Sequence, residues 1–409
     1  MTSEIDFKHV RVERTSFPDP PGEGSKLIPG TISNLAYILE TAGLSPRYNV
    51  IRKSVDLVTA TGAKVAMAEV ISLAMLNGYP TGHVYEFVGA LAERNPVNPI
   101  RDWIDSKLWD TTDRLPELYA CVKTVPEYPT SLKEVLLRKW FLSAAAAAVL
   151  DSGFRSRGVL TLQGPQGIGK TRFIASILPK GRLRDDYLKL DHHMDGASKD
   201  SILGAIKAYI CEIGELDSSF KKDIARLKGF LTNDCDKLRR PYGREEAEFP
   251  RRTVFAATVN EDCFLQDVTG NSRWWTLALE RIDWKHEIDT QQLFAQLAAK
   301  VRAGEAWWLS DAEDEQLAEW NKRHRSEGAT WERVRDWIEQ QPASKARNFT
   351  AIEVLKAAGI NYPSNPQCKE CSQVLRELYG EPKRVTGRYR WKIEFHGASP
   401  GIDHTEIYD

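Results

Sequence analysis

Gly164-Pro165-Gln166-Gly167-Ile168-Gly169-Lys170-Thr171 is the stretch that decides the fold. It satisfies the pattern GxxxxGK[ST] without a mismatch. Its glycines let the backbone curl so that successive amides point inward, where they bind phosphate oxygens. Lys170 then reaches the β- and γ-phosphates of a nucleotide, and the Thr171 hydroxyl sits on Mg²⁺. Gly164, Gln166, Gly167 and Gly169 line the cradle. The motif demands a strand before it and a helix after it. An apolar run, Gly158–Leu162, precedes the loop, and a helical pattern, Arg172–Leu178, follows it. A Gly-rich turn with an exposed lysine is the plainer alternative.

Outward from the loop, residues 158–282 hold three more short apolar runs. These are Tyr209-Ile210-Cys211, Val254-Phe255-Ala256-Ala257 and Trp274-Trp275-Thr276-Leu277, and helical patterns separate them. Runs of this length between helices read as buried strands of a largely parallel sheet. A nucleotide site also needs a carboxylate on a neighbouring strand. Glu212 ends the first of these runs, and Glu215 follows three residues on, past Gly214. Two acids so placed divide the work, one on the Mg²⁺ shell and one as base for water. For either, a surface acid at a strand end is the bland alternative. Asn260 closes the segment after the next run. It is placed to touch the γ-phosphate or the attacking water, or to cap a turn.

The 409 residues allow two or three domains. Hydrophobic residues make up 42% and charged residues 28%, an ordinary globular balance. With 56 basic and 57 acidic residues the formal net charge is −1, so any nucleic-acid surface must be local. No apolar run approaches the roughly 18 residues that cross a bilayer, and the first thirty residues lack a signal-peptide core. Six scattered cysteines fit a reducing compartment better than a disulfide framework. The expectation is a cytoplasmic protein of a bacterial host, with no membrane partner. Cys368 and Cys371 have zinc-like spacing, but no second CxxC and no HxxxH completes the ligands. His192-His193 lacks the i, i+4 spacing of helical metal ligands and reads as a loop near the nucleotide or an interface.

Residues 1–30, with Pro18, Pro20, Pro21, Gly22 and Gly24, read as a flexible arm. Residues 31–130 read as a helical N-terminal domain, a collar or partner-docking element. Residues 131–325 form the P-loop domain, 329–395 a small winged-helix-like domain and 396–409 a tail. Two basic segments stand out. In residues 237–244, Lys237, Arg239, Arg240 and Arg244 follow a phosphate chain while Tyr242 stacks on a base. Glu245, Glu246 and Glu248 follow at once, so a solvated loop is the alternative. Residues 383–392 carry five positive charges and no acid. Behind two helical patterns they read as the wing of a DNA-binding module, with Arg384, Arg388 and Arg390 as contacts. A basic hairpin on a protein-contact domain is the alternative.

Five segments recur in an order typical of a known family: GPQGIGKT at 164–171, EIGEL at 212–216, DKLRRPYGR at 236–244, TVNED at 258–262 and FLQDVTGNSRWW at 264–275. With GEAWWLS at 304–310, the chain resembles the virulence-associated E family of phages and mobile genetic elements over roughly residues 130–325. That family groups with the superfamily 3 helicases, ring-forming AAA+-like motors. The resemblance implies Walker A roles for Lys170 and Thr171, Walker B acids at Glu212 and Glu215, and a sensor at Asn260. It implies that Arg273 reaches the γ-phosphate of a neighbouring subunit. Where the family often has two arginines, this chain has Ser272-Arg273, which leaves Arg273 alone in the role. A structural ion pair is the alternative for it.

The fold expected is an α/β, AAA+-like P-loop NTPase core with a helical N-terminal domain and a winged-helix-like C-terminal domain. The function expected is an ATP- and Mg²⁺-dependent DNA helicase. It would act on single-stranded and duplex DNA as a homo-oligomer, a hexameric ring, with a primase supplied by another protein. The rivals are a DNA-bound origin-recognition or loader ATPase that does not unwind, a small-molecule kinase, and a nucleotide switch acting through partners.

Overall fold

The computed structural model describes residues 7–25, 27–195, 198–214, 229–239, 246–260, 271–322, 329–342, 344–385 and 387–395. The chain divides into two compact units, Met1–Asn260 with Ser272–Leu317, and Glu261–Asn271 with Ala318–Asp409.

The first unit opens with α1 (Ile32–Thr41), β1 (Leu44–Asn49), β2 (Ser54–Thr59), α2 (Met67–Leu76), α3 (Val84–Glu93) and β3 (Pro96–Val97). The expected helices are there, together with a sheet of order β2-β1-β3 that the sequence reading did not foresee. Strand β1, Leu-Ser-Pro-Arg-Tyr-Asn, lacks an apolar alternation that would mark it. Over its described residues the N-terminal arm also departs from expectation, because it packs against this core. Phe17 and Ile28 bury in the same core as Leu35, Ile38 and Val70, and the Val12 amide donates to Asn77 Oδ1 at 2.8 Å. Two large apolar side chains in 30 residues are enough to anchor a Pro-rich segment.

Next come α4 (Pro99–Ile104), α5 (Leu115–Cys121), β4 (Val122–Thr124), the long α6 (Thr130–Val149) and β5 (Val159–Gln163). After the loop follow α7 (Lys170–Ser176), α8 (Arg182–Tyr187), β6 (Leu188–His192), α9 (Lys199–Ile206) and β7 (Ile210–Ile213). A two-stranded ladder, β8 (Cys235–Arg239) with β9 (Glu246–Pro250), precedes β10 (Val254–Val259), β11 (Trp274–Ile282) and α10 (Thr290–Arg302).

Six strands make one sheet in the order β4-β11-β5-β10-β7-β6. All neighbours in it are parallel except β4, which runs antiparallel to β11. The fold class is thus mixed α/β with a parallel sheet. Strands β5 and β7 are buried at every position, as parallel strands covered on both faces must be. Edge strand β6 escaped the sequence reading because Lys189 and Asp191 interrupt its leucines.

Helix α6 is apolar all round toward its end, Ala144–Ala148 being fully buried, so its terminal carbonyls have no water to bond. Arg252 Nη1 donates to Ala147 O and Leu150 O, Arg101 Nη2 to Val149 O, and Asn98 Nδ2 to Ala148 O. Cations suit this negative helix end. From the sheet side, Trp140 Nε1 donates to Phe255 O and Tyr209 OH to Ala144 O.

In the second unit, α12 (Ala329–Glu339), β12 (Ser344–Phe349), α13 (Ala351–Ala357), α14 (Asn365–Tyr379), β13 (Lys383–Val385) and β14 (Arg388–Phe395) follow the end of α11 (Asp311–Asn321). The sheet order is β12-β14-β13, and Val334, Val354, Leu355, Val374, Leu375, Trp391 and Ile393 form the core. Among the described residues no helix is long and apolar enough to cross a membrane.

Candidate functional site

Where β5 ends, the chain turns sharply before α7. Gly164, Gly167 and Gly169 have φ of +154°, +84° and +101°, a region that L side chains rarely enter. Space forbids side chains at two of them as well. A Cβ on Gly164 would lie 2.6 Å from Leu279 O, and one on Gly169 would lie 2.3 Å from Trp284 Cδ1.

The loop encloses Lys170, which is 7% exposed. Its Nζ donates to Gly164 O at 2.5 Å, Pro165 O at 2.9 Å and Asn260 Oδ1 at 2.9 Å. All three ammonium donors are thereby used, and burial pulls the group below the usual lysine range. Beside it, Glu212, next to last in β7, is 1% exposed. Its Oε1 accepts from Thr171 Oγ1 at 3.0 Å and Thr258 Oγ1 at 2.8 Å, and its Oε2 from the Asp191 amide at 2.7 Å. A carboxylate this deeply buried needs such hydrogen-bond partners.

Lys170, Thr171, Glu212 and Asn260, separated by up to 90 residues, therefore meet at the C-terminal edge of β5, β7 and β10. Topology explains this, since the carboxyl ends of parallel strands share one edge. A cavity of about 560 Å³ opens there, lined by Gln166, Gly167, Gly169, Lys170, Thr171, Arg172, Asp191, Gly214, Thr258 and Asn260. Glu215 lies outside the described residues.

Asp191 is the member that the sequence reading overlooked. It has a left-handed backbone, φ +51°, and Gly214 is small because a Cβ there would lie 2.1 Å from Asp191 Oδ1. Its neighbour His192 is a buried strand residue whose Nε2 faces Ser201 O at 3.0 Å, not a loop residue. Burial lowers its pKa. Among the described residues no group of three His, Cys, Asp or Glu side chains is placed to hold a metal, and Cys371 is buried in the core of the second unit.

Arg273 is not brought to this cavity. Trp274, the next residue, pairs with Val159, whereas Gln163 at the loop end pairs with Ala278. Arg273 therefore sits at the opposite edge of the sheet, on the order of 15 Å of strand away. There a second cavity, of about 580 Å³, is lined by Arg155, Arg157, Arg273, Asp311 and Asp314 among others. The Arg273 Nε is buried without a hydrogen-bond partner among the described residues. Burial first, then Asp311 and Glu313, raises the Asp314 carboxyl. Arg155 and Arg157 point out between Phe154, Ser156 and Gly158, all buried. Gly158 has no alternative, for a Cβ there would fall 2.0 Å from the Trp275 ring.

The basic segment at 237–244 begins on β8. Lys237 pairs with Glu248 across the ladder at 2.8 Å, both side chains more than half exposed, an ion pair of little energetic weight. Arg239 ends the strand opposite Glu246. Arg240, Tyr242 and Arg244 lie outside the described residues. In the second unit, Arg384 stands opposite Tyr389 on the ladder and both are exposed, as is Arg388. Arg390 is spent internally: its guanidinium takes both Glu353 oxygens at 3.0 and 3.2 Å and Asn348 O at 3.1 Å. Sequence alone groups it with Arg384 and Arg388 as a DNA contact, because residue spacing does not reveal that Glu353 faces it.

A search of the curated proteins returned no match. Among solved structures, the chain is similar to the apo C-terminal region of NrS-1 at 13% identity. That match covers 88% of this chain and 98% of that one, with a TM-score of 0.39. A form described as the A form of the same region gives 14% identity over 88% and 99%, with a TM-score of 0.38. The likeness is too distant to carry an argument about fold or activity. The sequence model of the virulence-associated protein E-like domain matches residues 104–326, more than half of the chain. The loop, Glu212, Asn260 and Arg273 all fall inside that stretch, and the chain belongs to the virulence-associated protein E-like family.

Proposed function

We propose that this chain is the ATP-hydrolysing motor of a phage or mobile-element replication system, built on an AAA+-like P-loop core of the superfamily 3 helicase type. The observation that carries the reading is the meeting of Lys170, Thr171, Glu212 and Asn260 at one strand edge beneath a glycine-formed loop. The loop amides bind the β-phosphate. Lys170 exchanges its carbonyl partners, Gly164 and Pro165, for phosphate oxygens. Thr171 and Glu212 form an oxygen-only donor set next to the phosphates, which suits Mg²⁺; the ion supplies charge neutralisation on the phosphates. Glu212, or Glu215 beyond it, takes the proton of the attacking water, and Asn260 holds that water against the terminal phosphate.

Arg273, with its back to its own loop, serves the site of the next copy in a ring, and Arg155 and Arg157 line the same cavity. An arginine supplied in this way stabilises transition-state charge and makes turnover depend on assembly. The basic segment at 237–244, which begins on β8, binds single-stranded DNA. The second unit, with its helix-strand-helix-helix order and closing ribbon, is winged-helix-like, and Arg384, Arg388 and Tyr389 touch DNA. The motor works in the bacterial cytoplasm beside a separate primase.

The test is ATP hydrolysis by the full chain at several protein concentrations, with and without single-stranded DNA. Turnover that rises with DNA and steeply with protein concentration supports a ring with shared sites. Turnover indifferent to both removes the motor and leaves a kinase or switch.

A further inference from the structure

The loop and its acids account for the polyphosphate end of a nucleotide, and the other end needs a surface too. The polar groups fix the direction. Asp191, Glu212 and Asn260 lie on β6, β7 and at the end of β10, all on one side of β5. On the other side of β5 stands β11, and the chain leaving it, residues 283–286, carries no acid beyond Asp283. A nucleotide whose terminal phosphate faces the acids must point its nucleoside toward this outgoing segment.

That segment is fastened to the loop and to α7 after it at four places. The Trp284 ring lies so close over Gly169 that a Cβ there would meet its Cδ1 at 2.3 Å. The Arg172 guanidinium stacks on the Trp284 ring at 4.7 Å. Ser176 Oγ and His286 Nε2 are 2.8 Å apart, and the Phe173 and His286 rings pack edge-on at 6.0 Å. Trp284 remains partly exposed, Arg172 is exposed, and Arg172 also lines the loop cavity. A pre-ordered aromatic ring, with Arg172 and Lys285 over it at 4.7 and 5.2 Å, thus lies beside the loop cavity on the side toward which the nucleoside points.

We propose that the Arg172–Trp284 stack is the platform for the nucleobase, and that it makes the site selective for nucleoside triphosphates over bare polyphosphate. The inference rests on the nucleotide reading given above. A π surface reads the face of a base and not its hydrogen-bonding edge, so stacking is tolerant of base identity. ATP and GTP therefore bind with affinities within several-fold of each other, while inorganic tripolyphosphate binds far more weakly.

Isothermal titration of the full chain with Mg·ATP, Mg·GTP and Mg·tripolyphosphate tests this, using wild type, Trp284→Leu, Trp284→Phe and Lys170→Ala. Leucine keeps apolar bulk against Gly169 but removes the aromatic face, and phenylalanine restores that face. The expected result is a loss of roughly 10- to 50-fold in ATP affinity for Trp284→Leu, the worth of one base–aromatic stack. Tripolyphosphate affinity stays unchanged and Trp284→Phe recovers most of the loss. Equal weakening of ATP and tripolyphosphate, or no weakening of either, overturns the platform and leaves the nucleotide site standing. ATP binding that survives Lys170→Ala undiminished overturns the site itself, and the platform with it.

Discussion

The two edges of the six-stranded sheet are charged in opposite styles. At the C-terminal edge the two buried ionic groups have partners within the chain: Lys170 uses three donors, and Glu212 accepts three hydrogen bonds. At the N-terminal edge, Arg155, Arg157 and Arg273 share a cavity of about 580 Å³, and the Arg273 Nε has no hydrogen-bond partner among the described residues. Such a contrast is what the proposed composite site would require: in a ring each copy would complete its neighbour, while strand length would keep the two halves of one copy apart.

The largest effect that tests this contrast comes from its extremes. Arg273→Ala and Lys170→Ala should each lower ATP turnover by roughly a thousandfold or more. Mixed together, the two inactive variants should recover measurable turnover, because some shared sites then combine an intact loop with an intact arginine. Absence of any recovery in the mixture would break the comparison. Next in size, Glu212→Gln should cut turnover by roughly a hundredfold while ATP still binds. A parallel loss of binding would make Glu212 a brace for Thr171 and Thr258 and nothing more.

A smaller effect sharpens the contrast within the first unit. The same unit holds a buried cluster: Lys53 and Arg251 share Asp236 at 3.5 and 2.6 Å, and Lys53 Nζ also donates to Ile206 O at 2.8 Å. Removing the shared carboxylate leaves two buried cations, so Asp236→Ala should cost about 3–5 kcal/mol of stability in chemical denaturation. Lys53→Met leaves a matched pair and should cost less. Burial lowers the Lys53 pKa from 10.5 to about 8. Between those values the unfolded chain binds more protons, so this group's contribution to stability rises with pH from about 8 to about 10.5. The rise should vanish in Lys53→Met. Smallest of all, Arg157→Ala should change stability by roughly 0.5 kcal/mol or less, since the side chain is exposed. A large loss would mean that the arginines of the cavity are structural after all.

Sequence reading went furthest where the signal is local. The loop is eight consecutive residues, and β5, β7, β10 and β11 are apolar runs, so strand–loop–helix order and the ends at Glu212 and Asn260 could be read along the chain. It failed where a partner far away decides. Trp284 is one of twelve tryptophans, and only its approach to Gly169 gives it meaning. Arg390 belongs to Glu353 and Arg251 to Asp236, neither pairing visible from spacing. Strand β6 and the N-terminal sheet carry polar residues at positions that a strand pattern reserves for apolar ones, because each faces solvent in part.

The capped end of helix α6 has a practical corollary for anyone cutting this chain into pieces. Two of its caps, Asn98 and Arg101, and the anchors Asn49 and Lys53, all precede residue 104, where the recognisable family stretch begins. A fragment trimmed to that stretch would strand buried carbonyls at Ala148 and Val149 and open the Asp236–Arg251 pair to water. The part of the sequence that kinship recognises is shorter than the part that physics needs in order to fold.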